Sequence, residues 1–186
     1  MSDAATLAAA RTRFAAVRDQ AERALAQMDD AAFVARLGAV DPAATLVKHV
    51  AGNLRSRWTD PLTTDGNKPD RHRDQEFELT EGDTREALME AWADAWGCLE
   101  ASMASFAPDD LDRTVRIRAE PMPLVAAILR SLAHTAGHVG QIVLLAKHFA
   151  GDDWQTLSIP RGESEAFAAR MRARHAASEA DSSSPS

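Results

Sequence analysis

The stretch RSLAHTAGHVGQIVLLAK, residues 130–147, decides the fold, because it predicts the middle of a long and mostly apolar helix. It carries His134 and His138, which are four residues apart. On an α-helix this spacing places both imidazoles on one face, with their Cβ atoms roughly 6 Å apart. The pair therefore raises the question of which other part of the chain lies against that face.

Three further patterns predict helices that pack beside this one. Residues 3–28 and 83–106 repeat apolar side chains at steps of three, four or seven, as amphipathic helices do. Asp41-Pro42 predicts another helix start, with aspartate as the N-cap and proline at the first helical position. That helix should end before Pro61. Four long helices with little strand predict an all-α fold, a four-helix bundle.

Two segments interrupt the helical pattern. Residues 61–81 combine glycine, prolines and many charges, and Phe77 indicates an anchored, ordered loop rather than a flexible linker. Residues 112–118 alternate apolar and charged side chains, which predicts a short extended segment. Pro121 and Pro123 should then open the long histidine-bearing helix. The expected fold is a bundle with one long ordered loop and one short extended segment.

Composition limits the class of protein. The 186 residues are 45% apolar, which suits one bundle domain over residues 1–175, followed by a small-residue and serine tail, 176–186, expected to be disordered. The net charge of −7 disfavours nucleic acid as a partner. The chain has no long uncharged apolar run, which argues against a membrane span. A single cysteine, Cys98, fits a reducing cytoplasm, so we expect a cytoplasmic protein with a small-molecule substrate.

A third histidine turns the helical pair into a candidate metal site. His49 lies on the partly polar face of another predicted helix, among apolar neighbours. Together with His134 and His138 it would supply three imidazoles, which bind Zn²⁺ at about 2.0–2.1 Å and leave an open coordination position. An open position is typical of a catalytic site. Thr135 stands where the catalytic glutamate of a His-Glu-x-x-His protease would be, so that class of enzyme is excluded.

Asn53 and Arg57 are candidates for the cavity above such an ion. They follow His49 at successive helical turns, so the three share one face. Arg57 offers a fork of donors that suits a carboxylate or phosphate. The alternative is an ion pair with a loop carboxylate such as Asp65 or Glu76, and both readings stay open here.

Gln141 and Glu76 complete the candidate set. Gln141 follows His138 by three residues and could orient a ligand or a water on the metal. Arg71, Arg73 and Glu76 lie in the charged loop, where they either cover the mouth of the site or hold the loop in place.

Several blocks of the sequence resemble a known group of bacterial proteins. They are residues 48–58, 64–68, 71–77, 134–141 and 157–162. In these blocks the chain is similar to uncharacterised members of the DinB/YfiT-like superfamily, and the resemblance covers roughly residues 5–170. It implies a DinB-like four-helix bundle in which His49, His134 and His138 hold a divalent metal: zinc, nickel or iron. It also implies a homodimer.

The resemblance implies a reaction as well. Better-studied relatives include transferases that use low-molecular-weight thiols such as bacillithiol, and a mycothiol-dependent isomerase. The leading hypothesis is therefore a thiol-dependent S-transferase with a low-molecular-weight thiol as co-substrate. One alternative is a metal-dependent hydrolase, with Glu76 or Asp65 as its general base. The other is a non-catalytic helical stress or partner-binding protein whose histidines hold no metal.

Overall fold

The computed structural model describes residues 2–182, and this part of the chain is mainly helical, as the sequence predicts. The α-helices are α1 (Asp3–Leu25), α2 (Asp30–Val34), α3 (Ala43–Trp58), α4 (Arg85–Ser105), α5 (Leu124–Ala150) and α6 (Ser164–Ser182). Strands β1 (Thr114–Ile117) and β2 (Glu120–Pro123) form an antiparallel hairpin between α4 and α5. The described residues divide into two compact units, one ending at Trp154 and one beginning at Gln155.

Helices α1, α3, α4 and α5 build the bundle within the first unit. α3 packs against α4 and α5, and α1 packs against the same two helices, which closes a ring of four. The centre is aromatic, with Trp92 and Trp96 fully buried. Phe14 meets the rings of Trp58 and Trp96 edge-on, each at a centroid distance of 6.4 Å. Because α3 and α5 are neighbours, the two helices that carry the candidate ligands lie side by side.

Two helix starts differ from the predictions. Pro42, not Asp41, is the N-cap of α3, and the Asp41 carboxylate instead pairs with Arg36 at 3.1 Å. Pro121 does not open α5, since it lies in β2 opposite Arg116, while Pro123 is the N-cap of α5. A two-stranded sheet consists only of edges, so a strand proline without an N–H group is tolerated there.

The second unit contains α6, whose length differs from the prediction of a disordered tail over residues 176–186. The helix continues to Ser182, so residues 176–182 are helical where the sequence analysis expected disorder. Residues 183–186, the rest of that expected tail, lie outside the described residues. None of the described helices combines the length and apolar character that crossing a membrane requires.

The loop over residues 61–81 is tied to both α3 and the hairpin. The Gly66 carbonyl accepts hydrogen bonds from Ser56 Oγ, at 2.8 Å, and from Arg57 Nη1. The Gly66 N–H donates to the Arg116 carbonyl at 2.8 Å. Further on, a 3₁₀ turn at Arg73–Phe77 packs on α3. The loop thus brings its charged side chains against the helix that carries His49.

The tip of the hairpin is strained and held by one carboxylate. Arg118 and Ala119 have φ values of +56° and +64°, a region that costs an L-residue roughly 1–2 kcal/mol. The Asp65 carboxylate accepts hydrogen bonds from both of their N–H groups, at 2.8 and 2.7 Å. Burial raises the pKa of Asp65, but these amides outweigh it and hold the pKa below its usual value. Asp65 therefore stabilises the turn as an ionised group.

Ala119→Gly is expected to stabilise the protein by about 1 kcal/mol, because glycine adopts a positive φ without a steric penalty. Urea unfolding of the two proteins measures the difference. Ala93→Gly, at an exposed position inside α4, is the matched control and should lose about 1 kcal/mol through its lower helix propensity. Equal losses in both variants would show that the turn is not strained.

Candidate metal centre

Three histidine side chains meet between α3 and α5. α3 contributes His49, which is buried, and α5 contributes His134 and His138, which are partly exposed. One ligand atom from each lies within 4.8 Å of the other two. His49 Nε2 and His134 Nε2 are 3.2 Å apart. The predicted pair and the predicted third histidine are thus brought together by the packing of these two helices.

The orientation of the rings fits a bound metal. Two nitrogens bound to one tetrahedral ion at about 2.0–2.1 Å lie about 3.4 Å apart, close to the 3.2 Å between His49 Nε2 and His134 Nε2. His49 and His138 each engage Nδ1 in a hydrogen bond, to Glu76 and Gln141 respectively. The donating Nδ1–H groups leave both Nε2 lone pairs available as ligands. The three histidines could therefore bind a metal ion.

A buried ion pair orients His49. Glu76 Oε2 accepts a hydrogen bond from His49 Nδ1 at 2.8 Å, and Arg71 donates to both Glu76 oxygens at 2.7 and 2.8 Å. The side chains of Arg71 and Glu76 are only 5% and 10% exposed. Burial raises the pKa of Glu76, but the hydrogen bonds from Arg71 and His49 outweigh it and lower the pKa. An ionised carboxylate behind a histidine increases its basicity as a metal ligand.

Gly52 makes room for that carboxylate. A Cβ atom at this position of α3 would lie 2.8 Å from Glu76 Cδ and closer still to Oε1. Real Cβ atoms do not approach other heavy atoms so closely, so the carboxylate reaches His49 only because residue 52 has no side chain. Sequence reasoning missed this function of Gly52. Nothing in the local sequence distinguishes a helical glycine that makes room for another side chain from any other helical glycine.

His134 is neutral near pH 7. Burial, followed by the charges of His138 and His49, lowers the pKa of His134 to about 4. Its Nδ1 is buried and has no hydrogen-bond partner among the described residues. A neutral imidazole can take a metal ion without first losing a proton.

The structure decides between the two predicted roles of Arg57, contact with a ligand or an ion pair with a loop carboxylate. Among the described residues no carboxylate lies within ion-pair distance of Arg57, whose Nη1 donates to the Gly66 carbonyl. Asp65 holds the hairpin tip, and Glu76 is taken by Arg71 and His49. Arg57 and Asn53 instead line a basin together with the three histidines.

Gln141 holds one of the three candidate ligands in place. Its Oε1 accepts a hydrogen bond from His138 Nδ1 at 2.9 Å, so it orients the ring of His138. Two further histidines, His72 and His148, are exposed and do not belong to the cluster.

The basin beside the histidines is rich in arginine. It has a volume of about 380 Å³, and its lining includes Phe77 and the arginines Arg57, Arg71, Arg73 and Arg118. A smaller cavity of about 60 Å³ adjoins it, since Asn53, Arg57 and His134 line both. Apolar residues of the hairpin and the bundle enclose this cavity, among them Val115, Ile117 and Leu124. Sequence reasoning did not place the hairpin at the site, because its docking depends on contacts distant in sequence.

Fold and site together define a class: a helical-bundle protein with three histidines that could bind a metal ion. The chain belongs to the family described as "Protein of unknown function (DUF1572)", whose model matches residues 2–163. Comparison with curated proteins and with solved structures gave no significant match.

Proposed function

We propose that this protein is a metal-dependent enzyme of the DinB/YfiT-like superfamily that transfers a low-molecular-weight thiol to an electrophile. The observation that carries the proposal is the arrangement of three histidines in an arginine-rich basin, with no carboxylate among the described residues that line it. The proposal includes a cytoplasmic homodimer.

A zinc, nickel or iron ion held by His49, His134 and His138 would supply Lewis-acid chemistry that lowers the pKa of a thiol from about 8.5 to below neutrality. The chain contributes positive charge from Arg57, Arg71 and Arg118, which favours the thiolate over the thiol. In the transfer, the thiol proton passes to solvent and the sulfur forms a bond to the electrophilic carbon. The leaving group departs with the electrons of the bond that breaks.

The hydrolase alternative is disfavoured by the positions of its two candidate bases. Glu76 accepts hydrogen bonds from Arg71 and His49, and Asp65 accepts them from the hairpin amides. The pKa of each carboxyl group is lowered, so both are weak bases, and their oxygens already accept hydrogen bonds. A thiol is already acidic enough to ionise without a protein base, whereas activation of water benefits from one.

Thiol transfer to 1-chloro-2,4-dinitrobenzene tests the proposal, with cysteine, bacillithiol and mycothiol as probe thiols. Metal-loaded protein should accelerate the reaction with at least one thiol, and His138→Ala should lower that rate by about 100-fold or more, since it removes a ligand. His148→Ala, an exposed histidine on the same helix, is the control and should leave the rate unchanged. A rate equal to background with and without metal would refute the transferase. Metal-dependent ester hydrolysis under these conditions would favour the hydrolase instead.

A further inference from the structure

The basin at the histidines holds more positive charge than acidic side chains neutralise. Its four arginines come from three places in the fold: one from α3, two from the loop and one from the hairpin tip. The chain as a whole carries a net charge of −7, so a cluster of four arginines is not what its composition predicts. Glu76 pairs with Arg71 and His49, and Asp74 pairs with Arg73 at 3.3 Å. Among the described residues Arg57 and Arg118 have no ion-pair partner, and no carboxylate lines the basin.

Two of these arginines have N–H groups available to a ligand. Arg57 is partly buried, and its one hydrogen bond among the described residues goes to the Gly66 carbonyl. Arg71 donates from Nε and Nη2 to Glu76, and its buried Nη1 has no hydrogen-bond partner among the described residues. A buried charged donor without a partner has lost its hydration with nothing in return, and a ligand oxygen would relieve that penalty.

The arginines also repel one another. Burial, followed by the charges of Arg71, Arg118 and Arg130, lowers the pKa of Arg57 to about 10. Arg118 is kept near this group at a positive φ, with Asp65 bound to its backbone N–H. Like charges held together in a partly desolvated site are stabilised by an anion bound between them.

The adjoining cavity indicates what else the anion carries. Apolar side chains such as Trp58, Val115 and Leu124 form one part of its lining, and Arg130 and Ser131 belong to another. It shares Arg57 with the basin. Its volume of about 60 Å³ is well below the roughly 150 Å³ that accommodates benzene, so it suits a group of two or three carbons.

We propose that this site binds a small carboxylic acid, with its carboxylate on Arg57 and Arg71 and its short apolar chain in the adjoining cavity. The carboxylate is recognised by the planar fork of Arg57, which can donate two parallel hydrogen bonds. The identification of this acid as the substrate rests on the proposed thiol transfer. The existence of the binding site does not. The substrate class is an acid with a short aliphatic segment.

Ligand-detected NMR titration with propionate and propionamide tests the assignment, because the two probes share shape and differ in charge. Full-length protein is used both metal-free and zinc-loaded, so that the metal-free form reports on the arginines alone. Propionate should bind the metal-free protein about tenfold more tightly than propionamide, or better. Arg57→Gln should remove this preference, and Arg57→Lys should retain part of it. Arg55→Gln, an exposed position on α3 that does not line the basin, should retain all of it.

Three results would overturn the assignment. The first is equal binding of propionate and propionamide, and the second is an undiminished preference in a folded Arg57→Gln variant. The third is binding of inorganic phosphate without binding of propionate. If Arg57→Gln does not fold, Arg118→Gln at the exposed tip serves instead, and it should weaken propionate but not propionamide. Because no probe carries a thiol, failed thiol transfer with intact propionate binding would refute the proposed function alone.

Discussion

Replacing His49 by alanine is expected to abolish stoichiometric metal binding, weakening zinc affinity by about 100-fold or more. His49 is the candidate ligand that α3 supplies, and the other two candidates lie on α5, so its loss would leave a two-nitrogen site. The measurement is elemental analysis of protein purified without a histidine tag, followed by titration of zinc against a chromophoric chelator. His72→Ala, which removes an exposed histidine of the loop, should change neither value.

The side chain of His49 is almost fully buried, so its removal also affects packing around Glu76. His138→Ala provides an independent test, since His138 is partly exposed and, within residues 2–182, hydrogen-bonds to Gln141 alone. Both variants should lose the metal. Wild-type binding retained in a folded His49→Ala protein would contradict the three-histidine site. Wild-type protein that binds no metal would favour the non-catalytic alternative.

Gly52→Ala is expected to weaken metal binding by about 10- to 100-fold, although residue 52 is not a ligand. The added Cβ would lie too close to the Glu76 carboxylate, which must then leave its position. His49 Nδ1 loses its acceptor, and Arg71 loses its buried partner. The same zinc titration measures the effect, with circular dichroism to confirm that the helices form.

Gly97→Ala is the control for helix propensity. Gly97 also lies inside a helix, and a Cβ there meets nothing within 4 Å. That variant should gain up to about 1 kcal/mol of stability and bind zinc as the wild type does. Glu76→Gln tests the same contact from the other side, since it keeps the shape and removes the charge, and it should weaken binding over the same range. Unchanged affinity in both Gly52→Ala and Glu76→Gln would show that the carboxylate does not support the site.

The helices and the cluster of three histidines could be predicted because their signals are local. The spacing of His134 and His138 places them on one face of α5. The apolar repeats place α1 and α4, and Asp41-Pro42 places α3, within a few residues of their observed bounds. The predictions were wrong where a local sequence signal competes with contacts to other segments. Pro121 was read as a helix start, but the strand partner Arg116 holds it in β2. The serine-rich end was read as disordered, yet α6 continues to Ser182.

The sequence by itself determined a helical bundle and three histidines on two inward faces, because a helical period of 3.6 residues fixes which side chains share a face. Only the tertiary structure decided what surrounds them. Glu76 reaches His49 across 27 residues through a loop that packs where Gly52 leaves room. Arg118 reaches the basin through a hairpin tip held by Asp65. Such contacts depend on the docking of irregular segments, which no periodicity encodes, and they set the charge and the supporting groups of the site.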